Sequence, residues 1–181
     1  MVFRTHLFRF LGLQEVASLV DQWTPADRDL VASVLPDQGA VVRLTWILQS
    51  LVHERIPITE WRAILGAIHD AGGTATPIRT LIRAVRARLR GQLPGLRSGG
   101  RALRVPVPLQ KALALRLGLP RLPPDAATFE FHQWLRQAVT SNGPVLSLVA
   151  RDEDVREVVA ALTRSQYELV ATFTQEEVAS G

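Results

Sequence analysis

Cysteine is missing from all 181 residues, and lysine, methionine and tyrosine occur once each. Without cysteine there is no disulfide, no thiolate nucleophile and no cysteine-ligated metal. Long apolar runs are missing too. None reaches the roughly 20 residues needed to span a bilayer, and residues 1–4, Met-Val-Phe-Arg, do not open a signal peptide. The expectation is a soluble, cytoplasmic chain. Acidic residues are absent from residues 71–124, a stretch that carries eleven bases. The flanks are the reverse: six bases and eight acids before it, four bases and nine acids after it. The net charge of +4 therefore conceals a strongly polarised distribution. Twenty of the 21 bases are arginine, Lys111 being the exception.

What is present is a globular composition, 47% apolar, long enough to bury a core without metals or cross-links. The first half has helical periodicity. Leu13, Val16, Ala17, Val20 and Trp23 define one face. Thr24-Pro25-Ala26-Asp27 has the composition of a helix start, and Thr59 is placed to cap another helix. Leu44, Leu48, Leu51 and Val52 form a second face. Trp61, Ile64, Leu65 and Ile68 form a third, which makes Trp61 a candidate core residue. Gly72-Gly73 ends that helix, and Thr76-Pro77 opens one carrying Leu81, Ile82, Val85 and Leu89 inward. Short segments of this kind pack as an orthogonal helical array.

Residues 94–100, Pro-Gly-Leu-Arg-Ser-Gly-Gly, break the pattern. Beyond them Leu103, Val105, Val107 and Leu109 alternate with Arg104, Pro106 and Pro108, as in a strand. Two prolines spaced two apart restrict it to a sheet edge. Helices are expected over residues 110–117 and 126–139, then a strand over 145–150 whose nearly unbroken apolar run implies cover on both faces. A helix over 152–163 and a strand over 168–174 complete a parallel crossover. The fold class is α+β: a helical subdomain over residues 1–93, a linker over 94–101, and a small α/β subdomain over 102–181. That second part has a mostly parallel sheet with one proline-containing edge strand.

Three stretches in this order resemble the FHIPEP family of type III secretion export-gate proteins. The first is Phe10-Leu11-Gly12-Leu13-Gln14-Glu15-Val16. The second, residues 44–65, reads LTWILQSLVHERIPITEWRAIL and is similar to the family's VLQ-x-LL-x-E-x-(V/I)-(S/P)-I-R signature. The third is Gly143-Pro144-Val145-Leu146-Ser147-Leu148-Val149 with the following helix and Thr172-Phe173-Thr174-Gln175-Glu176. The departures are Thr59 where the family usually has arginine, Gly66 where it has an acid, and Arg83 where it has glutamate; they suggest the virulence branch. The resemblance implies the third and fourth subdomains of a cytosolic region that assembles as a homo-nonameric ring. It implies docking of secretion chaperone–substrate complexes, a gatekeeper and the ATPase stalk protein at the cytoplasmic side of the inner membrane. Membrane attachment would come through an N-terminal region outside this chain.

The residues themselves show no catalytic constellation. His6, His53, His69 and His132 lack partners at metal-ligand spacing, and there is no phosphate loop or nucleophile elbow. No cofactor, metal site or enzymatic role is expected. The acids Asp152, Glu153, Asp154 and Glu157 crowd the start of a helix, where its dipole favours them. Arg79, Arg83, Arg86 and Arg90 step by four, three and four and so share a helical flank. Three readings stand: a solvated face, a protein-binding face for a ring neighbour or partner, and a nucleic-acid footprint. The last lacks interleaved aromatics. The functional expectation is a non-catalytic, ring-scaffolding export-gate component, with a stand-alone arginine-rich adaptor or nucleic-acid-binding domain as the alternative.

Overall fold

The structure, a computed structural model, describes residues 11–93, 101–115, 125–143, 146–164, 167 and 170–179. The chain divides into two compact units, Met1–Leu93 and Pro94–Gly181. Most of residues 94–101, expected as a linker, lies outside the described residues.

The first unit is helical: α1 Leu13–Trp23, α2 Arg28–Val34, α3 Gln38–His53, α4 Trp61–Asp70 and α5 Ile78–Arg88. Caps set the boundaries. The Gly12 N–H donates to the Glu15 carboxylate at the start of α1. Asp27 accepts from the Leu30 N–H to start α2, and Asp37 accepts from the Ala40 N–H to start α3. The expected start at Thr24-Pro25 is corrected: Thr24 ends α1, its hydroxyl donating to the Val20 carbonyl at 2.7 Å. A hydroxyl committed to the preceding turn is not available as the next cap, and the Asp27 carboxylate takes that role. Thr59 is likewise not a cap, because α4 opens from Glu60 with no side-chain hydrogen bond. Gly72 and Gly73 follow α4 with φ of +100° and +72°, a left-handed backbone that disfavours any side chain.

Helix α3 packs against both α1 and α5, and α4 packs against α2 and α5. Residues 44–65 supply the centre of the core: Leu44, Ile47, Leu48, Leu51, Ile56, Ile64 and Leu65 are all buried. Trp61 differs from expectation. It is half-buried, stacked on the buried Trp23 ring with centroids 5.3 Å apart and planes 3° from parallel. The Arg62 guanidinium lies over it, 4.5 Å from the ring centroid. As the first residue of α4, Trp61 has no preceding helical turn to close over its outer face.

Among its described residues the second unit contains three parallel strands in the order β1-β2-β3: β1 Arg101–Arg104, β2 Leu146–Ala150 and β3 Val170–Thr174. Its helices are α6 Val107–Ala114, α7 Ala126–Asn142, α8 Glu153–Arg164 and α9 Gln175–Ala179. Register runs Leu103↔Leu148 and Leu148↔Thr172. All five residues of the central strand are buried, as its apolar run implied. Leu148 and Ala150 join Leu109, Leu113, Phe131, Leu135, Val155 and Val159 in the core.

Strand β1 is at the sheet edge, but the prolines are not in it. The ladder ends with the Val105 N–H donating to Val149, after which Pro106 caps α6 and Pro108 occupies its first turn. Helix starts need no N–H from those positions, so proline suits them better than a strand. Gln110, buried on α6, fastens the helix to the sheet: its amide donates to the Val105 carbonyl at 2.6 Å and accepts the Arg151 N–H at 2.7 Å.

Leu48→Ala should therefore cost about 2–5 kcal/mol in urea unfolding. Trp61→Ala should cost only about 1–2 kcal/mol, since it removes a stacked pair from a half-open site. Equal costs would contradict the burial assigned to Trp61.

Candidate interaction surface

Helix α5 carries Arg79, Arg83, Arg86 and Arg88 on an apolar base of Leu81 and Val85. The structure separates the four arginines expected to act together. Arg79 and Arg83 are exposed, one turn apart. Arg90 is half-buried in the short 3-10 turn Arg90–Gln92 that follows. Arg86 is corrected: it is only 2% exposed and forms an ion pair and hydrogen bond with Glu54, itself 10% exposed. It lies at i+5 from Leu81 and one residue after Val85, close enough to the apolar face to be drawn inward. A buried guanidinium requires a carboxylate partner. Arg88, on the outer side, pairs with Asp70 where both are solvated.

Glu54 is the C-cap residue of α3. The next residue, Arg55, adopts φ of +60°, rare for a side chain other than glycine. The Ile56 N–H then returns to the Leu51 carbonyl at 2.9 Å. This tight turn places Glu54 against α5 and Ile56 in the core.

The histidines do not converge. His69 is exposed, His53 is half-buried, and His132 Nε2 is 3.3 Å from the Leu162 carbonyl; His6 lies outside the described residues. Among the described residues no group of three or more His, Cys, Asp or Glu side chains is placed to hold a metal. No helix there is long and apolar enough to cross a membrane. The acids opening α8 have local duties. Asp152 accepts the Val155 N–H at 2.9 Å, and Glu153 holds Arg156 in a two-pronged contact of 2.6 and 2.8 Å. Arg156 is 2% exposed, and its guanidinium also reaches the Thr172 hydroxyl at 3.4 Å.

Sequence periodicity did not single out Trp46, which points outward from α3 and is 55% exposed. The signal was there: Trp46 falls between Thr45 and Ile47, both buried, at the one angle of that turn that the core leaves free.

The described residues form a helical unit followed by a small parallel-sheet unit, with an arginine-bearing helix in the first. The chain belongs to the FHIPEP family, which matches it over residues 1–181. It is 27% identical over 92 residues to the flagellar biosynthesis protein FlhA of Caulobacter vibrioides, a match covering 51% of this chain and 13% of FlhA. Its fold is similar to the C-terminal domain of InvA, with a TM-score of 0.81 at 17% identity over 98% of this chain and 57% of that one. It is also similar to nonameric EPEC SctV-C, with a TM-score of 0.76 at 19% identity over 96% of this chain and 55% of that one. The chain thus spans little more than half of these solved domains and a small part of FlhA.

Removing the Glu54 carboxylate should take an ion-pair partner from the buried Arg86 charge. Glu54→Ala is expected to destabilise the chain by about 3–5 kcal/mol, whereas Arg83→Ser should stay within about 0.5 kcal/mol. Thermal melts followed by circular dichroism compare the two; a silent Glu54→Ala would remove Arg86 from the core.

Proposed function

We propose that this chain is a non-catalytic cytosolic component of a type III secretion export gate, corresponding to the third and fourth subdomains of the gate's cytosolic region. The observation that carries the reading is the FHIPEP match over the full 181 residues. The likeness in fold to nonameric SctV-C supports a ring role. In this reading the parent protein forms a homo-nonameric ring at the cytoplasmic side of the inner membrane. The ring receives chaperone–substrate complexes, the gatekeeper and the ATPase stalk protein. The protein acts by presenting surfaces, and the arginine face is one of them: Arg79 and Arg83, with Arg90 beside them, contact an acidic protein surface. Guanidinium groups suit such contacts because they pair carboxylates in a planar fork and tolerate partial desolvation.

Exposed ion pairs contribute at most about 1 kcal/mol each, so the contact should be cumulative and salt-sensitive. The double substitution Arg79→Glu, Arg83→Glu should leave the melting temperature nearly unchanged. In the full-length protein it should reduce secreted substrate in a complemented deletion strain. Normal secretion would reduce the arginine face to a solvated surface, and failure of the wild-type gene to support secretion would overturn the gate reading itself.

The isolated chain should not form a stable nonamer at about 10 µM in light scattering. It spans 57% of the InvA domain, and an interface cut well below about 800 Å² per partner does not hold at that concentration.

A further inference from the structure

Among the described residues of the first unit, the largest exposed apolar side chain is Trp46 on α3. Its neighbours along that side of the helix, Val42, Gln49 and Ser50, are half-buried. Gln49 also holds the backbone at the start of the described chain: its amide donates to the Leu11 carbonyl at 2.8 Å. Residues three apart on a helix are surface neighbours, with Cβ atoms about 5–6 Å apart. Leu11 is therefore fixed one helical turn from Trp46, and residue 10 is one Cα step of about 3.8 Å from it. Residues 1–10, which join the chain at this point, lie outside the described residues, and their composition is distinctive. Phe3, Phe8 and Phe10 are three of the chain's six phenylalanines. With Val2 and Leu7 they make half of the segment large and apolar. It has no acid, and it carries Arg4 and Arg9.

We infer that residues 1–10 of this chain dock on the Trp46 side of α3, with Phe8 and Phe10, the phenylalanines nearest Leu11, against the indole. An indole and a run of large apolar side chains each cost free energy in water in proportion to their exposed area, and contact between them removes part of both costs. Aromatic rings gain further from offset or edge-to-face packing. The bases of the segment do not oppose the contact, because the face of an indole attracts a guanidinium. The occupant is the chain's own segment because it is tethered to the site. The Gln49–Leu11 hydrogen bond holds the end of the segment within one turn of Trp46. A short tether acts at an effective concentration in the millimolar range, which the same segment of a second copy at micromolar concentration does not match. Trp46 is then the anchor by which the chain entering α1 is fastened to α3. The inference concerns this chain alone and does not depend on the gate reading.

Nuclear Overhauser contacts in the uniformly ¹³C,¹⁵N-labelled 181-residue chain provide the test. The Trp46 indole protons, identified by their loss in Trp46→Phe, should show contacts to the ring protons of Phe8 or Phe10. Those contacts should disappear in Phe8→Ser, Phe10→Ser. In an isotope-filtered spectrum of an equal mixture of labelled and unlabelled chains they should be absent, since they arise within one chain. A Trp46 indole with no contact to residues 1–10 overturns the inference, whether the ring then faces water or another part of the protein. Contacts that appear in the filtered spectrum of the mixture overturn it in favour of a second copy. Either result leaves the gate reading standing, because that reading is decided by secretion in the full-length protein.

Discussion

Each unit of this protein buries an arginine, and each arginine dictates where a carboxylate must be. Arg86 and Arg156 are among its largest fully buried side chains. An unpaired guanidinium in such surroundings would cost several kcal/mol, so the surrounding backbone has to deliver an acid. In the second unit the solution is local: Glu153 lies three residues before Arg156 on the same helix, and Thr172 on β3 takes another edge of the guanidinium. In the first unit it is remote. Glu54 comes from the end of α3, 32 residues before Arg86, and reaches it because the chain turns tightly through a left-handed Arg55. That turn also sets Ile56 into the core and sends the chain toward α4. The α3–α4 connection and the seat of α5 thus meet at the Glu54–Arg86 ion pair.

This explains how a segment with eleven bases and no acids folds against the rest. The acids before residue 71 neutralise selected arginines of α5, Glu54 from within the core and Asp70 from the surface. Arg79 and Arg83 stand on the exposed side. Along one helix the arginines thus divide into Arg86, buried on Glu54, and Arg79, Arg83 and Arg88, which are exposed.

Periodicity made most of the elements legible. The helices around Leu48, Leu65 and Leu81, the buried strand over Leu146–Ala150 and the parallel crossover through α8 follow from apolar spacing alone. The misread positions share a cause. Thr24, Thr59, Pro106 and Trp61 sit at element ends, where composition allows either neighbour to claim a residue and only the final hydrogen bonds decide. Thr24 went to the helix before it, Pro106 to the helix after it, and Trp61 to a boundary open on one side.

The arginine face was legible as a flank and not as a set of contacts, for a different reason. Spacing by four, three and four fixes only the angle of each side chain about the helix axis. Whether an arginine at that angle meets water or protein depends on what packs alongside, which for Arg86 is a residue 32 positions away. Trp46 is the converse case: it stands between the buried Thr45 and Ile47 on α3, and a side chain suited to burial is left exposed. An indole costs free energy in water in proportion to its exposed area. Covering it recovers that cost only for a partner that leaves no charge unpaired on closure.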